Sequence, residues 1–125
     1  MFLADADPAL RERTIEQALR LPEPVGKALF PRMVAWDARA MDAALDAVRA
    51  PLMVIQSTYL NTDRVRVAIP PGQSTPWIDL VRARVPGARI EILSGTGHFP
   101  QLEAPERVSA LVEDFRATIA RGVRL

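Results

Sequence analysis

A single histidine lies in a glycine-rich stretch near the end of the chain, where its chemistry would be acid–base. His98 ends the run Ser94-Gly-Thr-Gly-His98 and is the only histidine among 125 residues. An imidazole titrates near neutral pH, so it can take a proton from a nucleophile and return it to a leaving group. The chain has no cysteine, which excludes thiolate nucleophiles, thiolate metal ligands and disulfides. We expect neither a bound metal nor a cofactor.

Two short segments, one apolar throughout and one with Ile90 and Ile92 on one face, predict the strands that would position this histidine. The segment 52–55 is apolar at every position, which is typical of a strand covered on both faces of a parallel sheet. We expect parallel strands near 52–56 and 89–93, joined by a crossover through a helix near 76–85. In such sheets the reactive groups lie beyond the carboxyl ends of the strands, where His98 follows.

Apolar residues at intervals of three and four predict the remaining helices. These lie near 8–20, 32–48 and 105–120. Asp7 and Pro8 form a typical helix start, with an aspartate cap before a proline. A short helical piece near 25–30 is expected to end at Pro31, and residues 57–75 are expected to form a long polar loop. The predicted fold class is therefore α/β, a short parallel sheet flanked by helices.

Charge and composition argue against two classes of partner. The formal net charge is +1, and the arginines are scattered from Arg11 to Arg124 without forming a run, so we expect no nucleic-acid binding. No segment approaches the roughly 18 apolar residues of a membrane span. Acidic residues begin by Asp5, and no long apolar run follows, which is unlike a signal peptide. We predict a cytoplasmic protein without membrane contact.

The sequence around His98 resembles the ending of the α/β-hydrolase fold superfamily. In that ending a strand is followed by Gly-His-x-x-x-x-Glu-x-Pro, which is matched here by Gly97, His98, Glu103 and Pro105. The resemblance covers about residues 37–120. It implies that His98 is the general base of a nucleophile–acid–histidine triad. Glu103, just before a helix start, is interpreted as structural.

The resemblance places the triad acid soon after the strand equivalent to 52–55. The family pattern there, Gly-x-x-Asp, is not kept, since Ser57 stands at the glycine position. Asp63 is the nearest carboxylate and comes two or three residues late. Two interpretations remain open. Asp63 is either the acid that orients His98 or an exposed loop aspartate, in which case the acid comes from a different strand in the missing half.

The nucleophile of the family is missing from the chain. It belongs in a Gly-x-Ser-x-Gly turn between a strand and a helix, and no such sequence occurs here. Ser74 follows prolines instead of a strand, and Ser57 and Ser94 lie at strand ends without the glycine context. The loop that would furnish the oxyanion hole is missing too. We therefore expect this chain alone to be inactive.

The resemblance also divides the chain and suggests residues that would line a pocket. Residues 1–36 resemble the end of a lid or cap, and residues 37–125 the C-terminal part of a hydrolase core. Met33, Trp36 and Trp77 are candidate substrate-binding residues, with ordinary core packing as the alternative.

Two functions remain open from the sequence. The first is a hydrolase-family protein, esterase- or lipase-like or similar to C–C bond hydrolases, that carries the triad histidine but lacks the nucleophile half. Once completed, it would act on a small ester-like molecule. The alternative is a non-catalytic truncated relative that serves as an oligomerisation or binding module. A two-stranded sheet leaves an apolar strand edge unpaired, so we expect either a homodimer or a complementary N-terminal hydrolase half as partner.

Overall fold

Helices and short strands alternate in a mixed α/β arrangement. The computed structural model describes Phe2 and residues 6–122. Its helices are α1 (Pro8–Leu19), α2 (Glu23–Asp46), α3 (Pro76–Arg84), α4 (Pro100–Glu103) and α5 (Pro105–Ala120). Its strands are β1 (Met53–Gln56), β2 (Thr58–Leu60), β3 (Arg66–Ala68) and β4 (Arg89–Ile92).

Strands β1 and β4 form a parallel pair, which confirms the predicted strands and their direction. Met53 pairs with Arg89 and Gln56 with Ile92. The Leu93 amide extends the ladder by donating to the Gln56 carbonyl at 2.9 Å. Helix α3 lies between the two strands in sequence, as the crossover pattern predicts. Both strands therefore end at the same edge of the sheet.

The expectation of an irregular loop over 57–75 is wrong, because β2 and β3 pair as an antiparallel hairpin. Thr58 pairs with Ala68 in this second sheet. The Asn61 side chain closes the turn by accepting the amides of Asp63 at 3.0 Å and Val65 at 2.8 Å. Arg64 takes a left-handed backbone conformation with φ 59°. An asparagine side chain thus closes the turn without the glycine that commonly marks a hairpin in sequence.

Helix α2 is continuous through Pro31, so the expected break there is wrong. Pro31 has no amide to donate to the carbonyl of Lys27, one turn earlier. Both residues lie on the exposed surface, where water can replace the lost hydrogen bond. The helix also runs across residues 36 and 37, and the division of the chain at that point stays a prediction. No helix within the described residues is long and apolar enough to cross a membrane.

The core is small and centres on α3. The buried apolar side chains are Leu45, Ile69, Ile78, Val81 and Leu93. Thr75 caps α3 by accepting the Ile78 amide at 3.3 Å, and its hydroxyl donates to Gln56 Oε1 at 2.9 Å. The cap of α3 is thereby tied to the end of β1, where the candidate site lies.

Candidate functional site

His98 lies in the loop between β4 and α4, beyond the carboxyl end of the parallel strands. The chain turns sharply at Gly95, whose φ of 80° favours glycine. The hydroxyl of Thr96, which is buried, donates to the Leu93 carbonyl at 3.0 Å and secures the turn. The imidazole itself is largely exposed, and its ring lies 5.0 Å from that of Phe99, centre to centre.

The peptide groups of Gly97, next to His98, are held from two sides. Its amide donates to Glu103 Oε2 at 2.8 Å, and its carbonyl accepts from the buried hydroxyl of Ser57 at 2.5 Å. Glu103 therefore reaches back from the end of α4, and Ser57 reaches across from the end of β1. Together they fix the backbone on which His98 stands. The sequence spacing from Gly97 to Glu103 was part of the motif, but it did not reveal this contact.

His98 shares a small cavity with residues from the end of β1 and from the hairpin. The cavity has a volume of about 260 Å³. Its walls are formed by Ile55, Gln56, Ser57, Thr58, Arg66, Trp77, His98 and Pro100. Polar and charged residues thus line the same space as apolar ones, a mixture typical of small-molecule sites. A larger cavity of about 520 Å³ runs along α1 among Arg11, Glu12 and Ile15, without His98 in its wall.

Two effects lower the pKa of His98 from its ordinary value of 6.5. Partial burial disfavours the charged imidazolium, and the positive charge of Arg66 adds to this in the same direction. Both effects favour the neutral imidazole, the form in which it can accept a proton. The described structure places a base in the cavity.

The other predicted site residues do not all gather around His98. Trp77, at the start of α3, does line the same cavity. Asp63 lies exposed at the tip of the β2–β3 turn and forms no ion pair or hydrogen bond with His98. Met33 and Trp36 are about half exposed, at 48% and 50%, on the free surface of α2 and line no wall of this cavity. Their roles stay predictions.

Each of the three serines considered as nucleophiles donates its hydroxyl to another group. Ser57 donates to the Gly97 carbonyl, Ser94 to the Ile69 carbonyl at 3.3 Å, and Ser74 to Asp79 Oδ1 at 2.5 Å. None of these hydroxyls is hydrogen bonded to His98 in the part of the chain that the structure describes. The same residues contain no cluster of histidine and carboxylate side chains fit to hold a metal ion. Among the described residues, His98 thus has neither a nucleophile nor an acid hydrogen bonded to its imidazole.

Sequence reasoning missed Arg66 and the contact of Ser57. Arg66 lies in β3, within the stretch expected to be a loop, so no pattern placed it near His98. Ser57 stood out only as a departure from the family's glycine, yet its hydroxyl spans the gap between β1 and the His98 loop.

Comparison with known proteins finds no matching family model, no matching curated protein and no matching solved structure. The α/β-hydrolase relationship therefore stays a prediction from the sequence.

The pKa of His98 can be measured directly, because the chain has a single imidazole. By NMR titration we expect a value below 6.5. Arg66→Gln should raise this pKa, because it removes a neighbouring positive charge. Arg64→Gln removes an arginine two residues earlier that does not line the cavity, and it should leave the pKa unchanged. A wild-type pKa at or above 6.5, or equal shifts in the two variants, would contradict this electrostatic account.

The sign of the effect on stability follows from the same shift. The unfolded chain binds the proton of His98 more tightly than the folded protein does. The contribution to the free energy of unfolding is therefore complete above the unfolded pKa of 6.5 and is lost as the pH falls through the lower folded pKa. Urea denaturation across this range should show a smaller pH dependence in His98→Gln than in the wild type.

Proposed function

We propose that this chain is the histidine-bearing half of an α/β-hydrolase-type enzyme, an esterase or a C–C bond hydrolase. In this proposal His98 is the general base, and the nucleophile comes from elsewhere, in a longer polypeptide or a second chain. The observation that carries it is the position of His98. Its imidazole lies beyond the carboxyl end of a parallel strand pair, in a cavity shared with Arg66 and Trp77.

The hydrogen bonds that hold the loop around His98 favour a catalytic role for this histidine over an incidental one. A general base must be held within hydrogen-bonding reach of the proton it removes. Glu103 and Ser57 fix both peptide groups of Gly97, at the cost of placing a carboxylate oxygen, Glu103 Oε1, in a buried position without a hydrogen-bond partner among the described residues. Such a group costs stability, which favours a functional reason for the arrangement.

The proposal takes its orienting carboxylate from outside the described residues. Asp63 is exposed at a turn, and Glu103 is occupied with the Gly97 amide. The completed enzyme would act on a small ester-like substrate, with no cofactor, and cytoplasmic residence stays a prediction.

The exposed surface of α2 supports a second candidate, a non-catalytic module that associates with a second copy of itself. Leu29 is 57% exposed and Phe30 64%, and both lie in the same helix as Trp36. Large apolar side chains grouped on one helix are typical of surfaces that bind another protein. Two results together would favour this candidate: a dimer in sedimentation experiments, and no activity when the chain is joined to an N-terminal hydrolase half and the joined protein is folded.

Fluorophosphonate labelling tests the first proposal. We expect no stoichiometric labelling of this chain by itself, and no ester turnover above the background of free imidazole, because the nearby serines are engaged elsewhere.

We define the joined protein as this chain fused behind the N-terminal half of an α/β-hydrolase esterase that brings the Gly-x-Ser-x-Gly turn and the oxyanion loop. In the joined protein we expect stoichiometric labelling at the turn serine.

Labelling of Ser57, Ser74 or Ser94 in the chain alone would overturn the claim that the nucleophile comes from elsewhere. A joined protein that unfolds cooperatively but remains unlabelled would overturn the hydrolase proposal itself. Its cooperative unfolding is the control that separates this result from misfolding.

A further inference from the structure

Two arginines are half-buried in the described part of the chain, and only one of them has carboxylate partners. Arg89 is paired with Glu91 at 2.7 Å and Asp114 at 2.6 Å. Arg66 forms no ion pair with any described residue. Its one hydrogen bond runs from Nη1 to the hydroxyl of Thr58 at 3.1 Å. Since partly buried charges are normally paired, Arg66 lacks, among the described residues, the anion that such a charge usually has.

The surroundings of Arg66 define the shape of that anion. Arg66 lines the cavity of about 260 Å³, which is below the roughly 300–1,000 Å³ of pockets for drug-sized ligands. The apolar part of the wall includes Trp77, Ile55 and Pro100. A planar guanidinium matches a carboxylate through two parallel hydrogen bonds, and an indole offers a flat apolar surface. A small ion without an apolar part would leave that surface unused.

We propose that this cavity binds a small carboxylate with an aromatic or other apolar group, its anionic end on Arg66 and its apolar end against Trp77. The biological meaning of this ligand rests on the proposed function, because hydrolysis of an ester releases a carboxylic acid, and Arg66 would hold the carboxylate of that product. Binding itself requires no catalysis.

Benzoate is the probe that fits this description. We would titrate it into the purified chain at about pH 8, where a carboxylate is ionised, following the His98 imidazole signals by NMR and the heat by calorimetry. Benzamide has nearly the same shape without the charge, and inorganic phosphate has charge without the ring. We expect benzoate to shift the His98 signals saturably. Both comparison compounds should bind at least roughly tenfold more weakly than benzoate.

Variants locate the site. Arg66→Gln should weaken benzoate binding by roughly tenfold or more, because a charged hydrogen-bond partner is lost. Arg66→Lys keeps the positive charge but loses the two parallel donor groups of the guanidinium, so it should give an intermediate loss of benzoate affinity. Arg64→Gln should bind like the wild type. Benzoate binding no stronger than that of benzamide, or equal loss in Arg64→Gln and Arg66→Gln, would overturn the proposal, and the first comparison needs no variant to fold.

Failure of this proposal and failure of the proposed function give different results. Selective benzoate binding with an inactive joined protein would support the carboxylate site and remove the hydrolase proposal. An active joined protein, together with benzoate binding no stronger than that of benzamide, would support the hydrolase proposal and remove the carboxylate site.

Discussion

Replacing Ile78 by alanine should unfold most of the protein. Ile78 is fully buried on α3, and the described chain buries only a few other apolar side chains completely. Removing a buried isoleucine side chain costs about 2–5 kcal/mol, through lost transfer free energy and the cavity left behind. A small domain with so slight a core has a correspondingly small free energy of unfolding, so a loss of this size is comparable with the whole. Urea denaturation followed by circular dichroism measures the effect.

Ile15→Ala is the matched control for this substitution. Ile15 also lies in a helix, α1, but 49% of it is exposed. Its replacement by alanine should change the free energy of unfolding by about 0.5 kcal/mol or less, because little apolar surface is withdrawn from water there. Equal destabilisation in the two variants would show that the stability of the protein does not depend on the burial of Ile78 in α3.

The parallel pair and the helix between its strands could be predicted because their signals are local. A segment apolar at every position, at 52–55, is hard to place anywhere except in a covered strand. Thr75 before Pro76 is a typical helix start, and the structure confirms both the cap and the helix. In these elements the residue pattern and the secondary structure agree, although the residues of β1 are half-buried instead of covered on both faces.

The hairpin and the long helix α2 could not be predicted, because other effects outweigh the local signals. The β2–β3 turn depends on the side chain of Asn61 and on a left-handed arginine, and neither gives a strong pattern in the sequence. Pro31 is normally a helix breaker, but the exposed position of α2 lets water satisfy the carbonyl it leaves free.

The candidate site was predictable only in part, since it combines elements distant in sequence. His98 and Trp77 were identified from the sequence, and they do line one cavity. Arg66 reaches that cavity through the hairpin, whose fold the sequence did not predict. Ser57 and Glu103 act on the backbone of Gly97, and contacts between a side chain and a distant backbone leave little trace in one sequence.

His98→Gln should have the largest effect on the activity of the joined protein among substitutions within this chain. Loss of the general base removes the means of activating the serine, and loss of a triad histidine typically lowers kcat by roughly 10⁴-fold to 10⁶-fold. Glutamine keeps a polar side chain of similar reach but cannot accept and return a proton near neutral pH. The fold should be kept, because the imidazole is largely exposed and forms no hydrogen bond with the described residues.

The measurement that tests this account most directly is kcat for an activated ester in three forms of the joined protein: wild type, His98→Gln and Gln101→Ala. Gln101 is an exposed residue of α4, close to His98 in sequence, and its replacement controls for local disturbance of the loop. The account predicts that kcat falls by roughly 10⁴-fold or more in His98→Gln and is unchanged in Gln101→Ala. An active joined protein whose kcat survives the loss of His98, or falls equally in both variants, would contradict the assignment of His98 as general base.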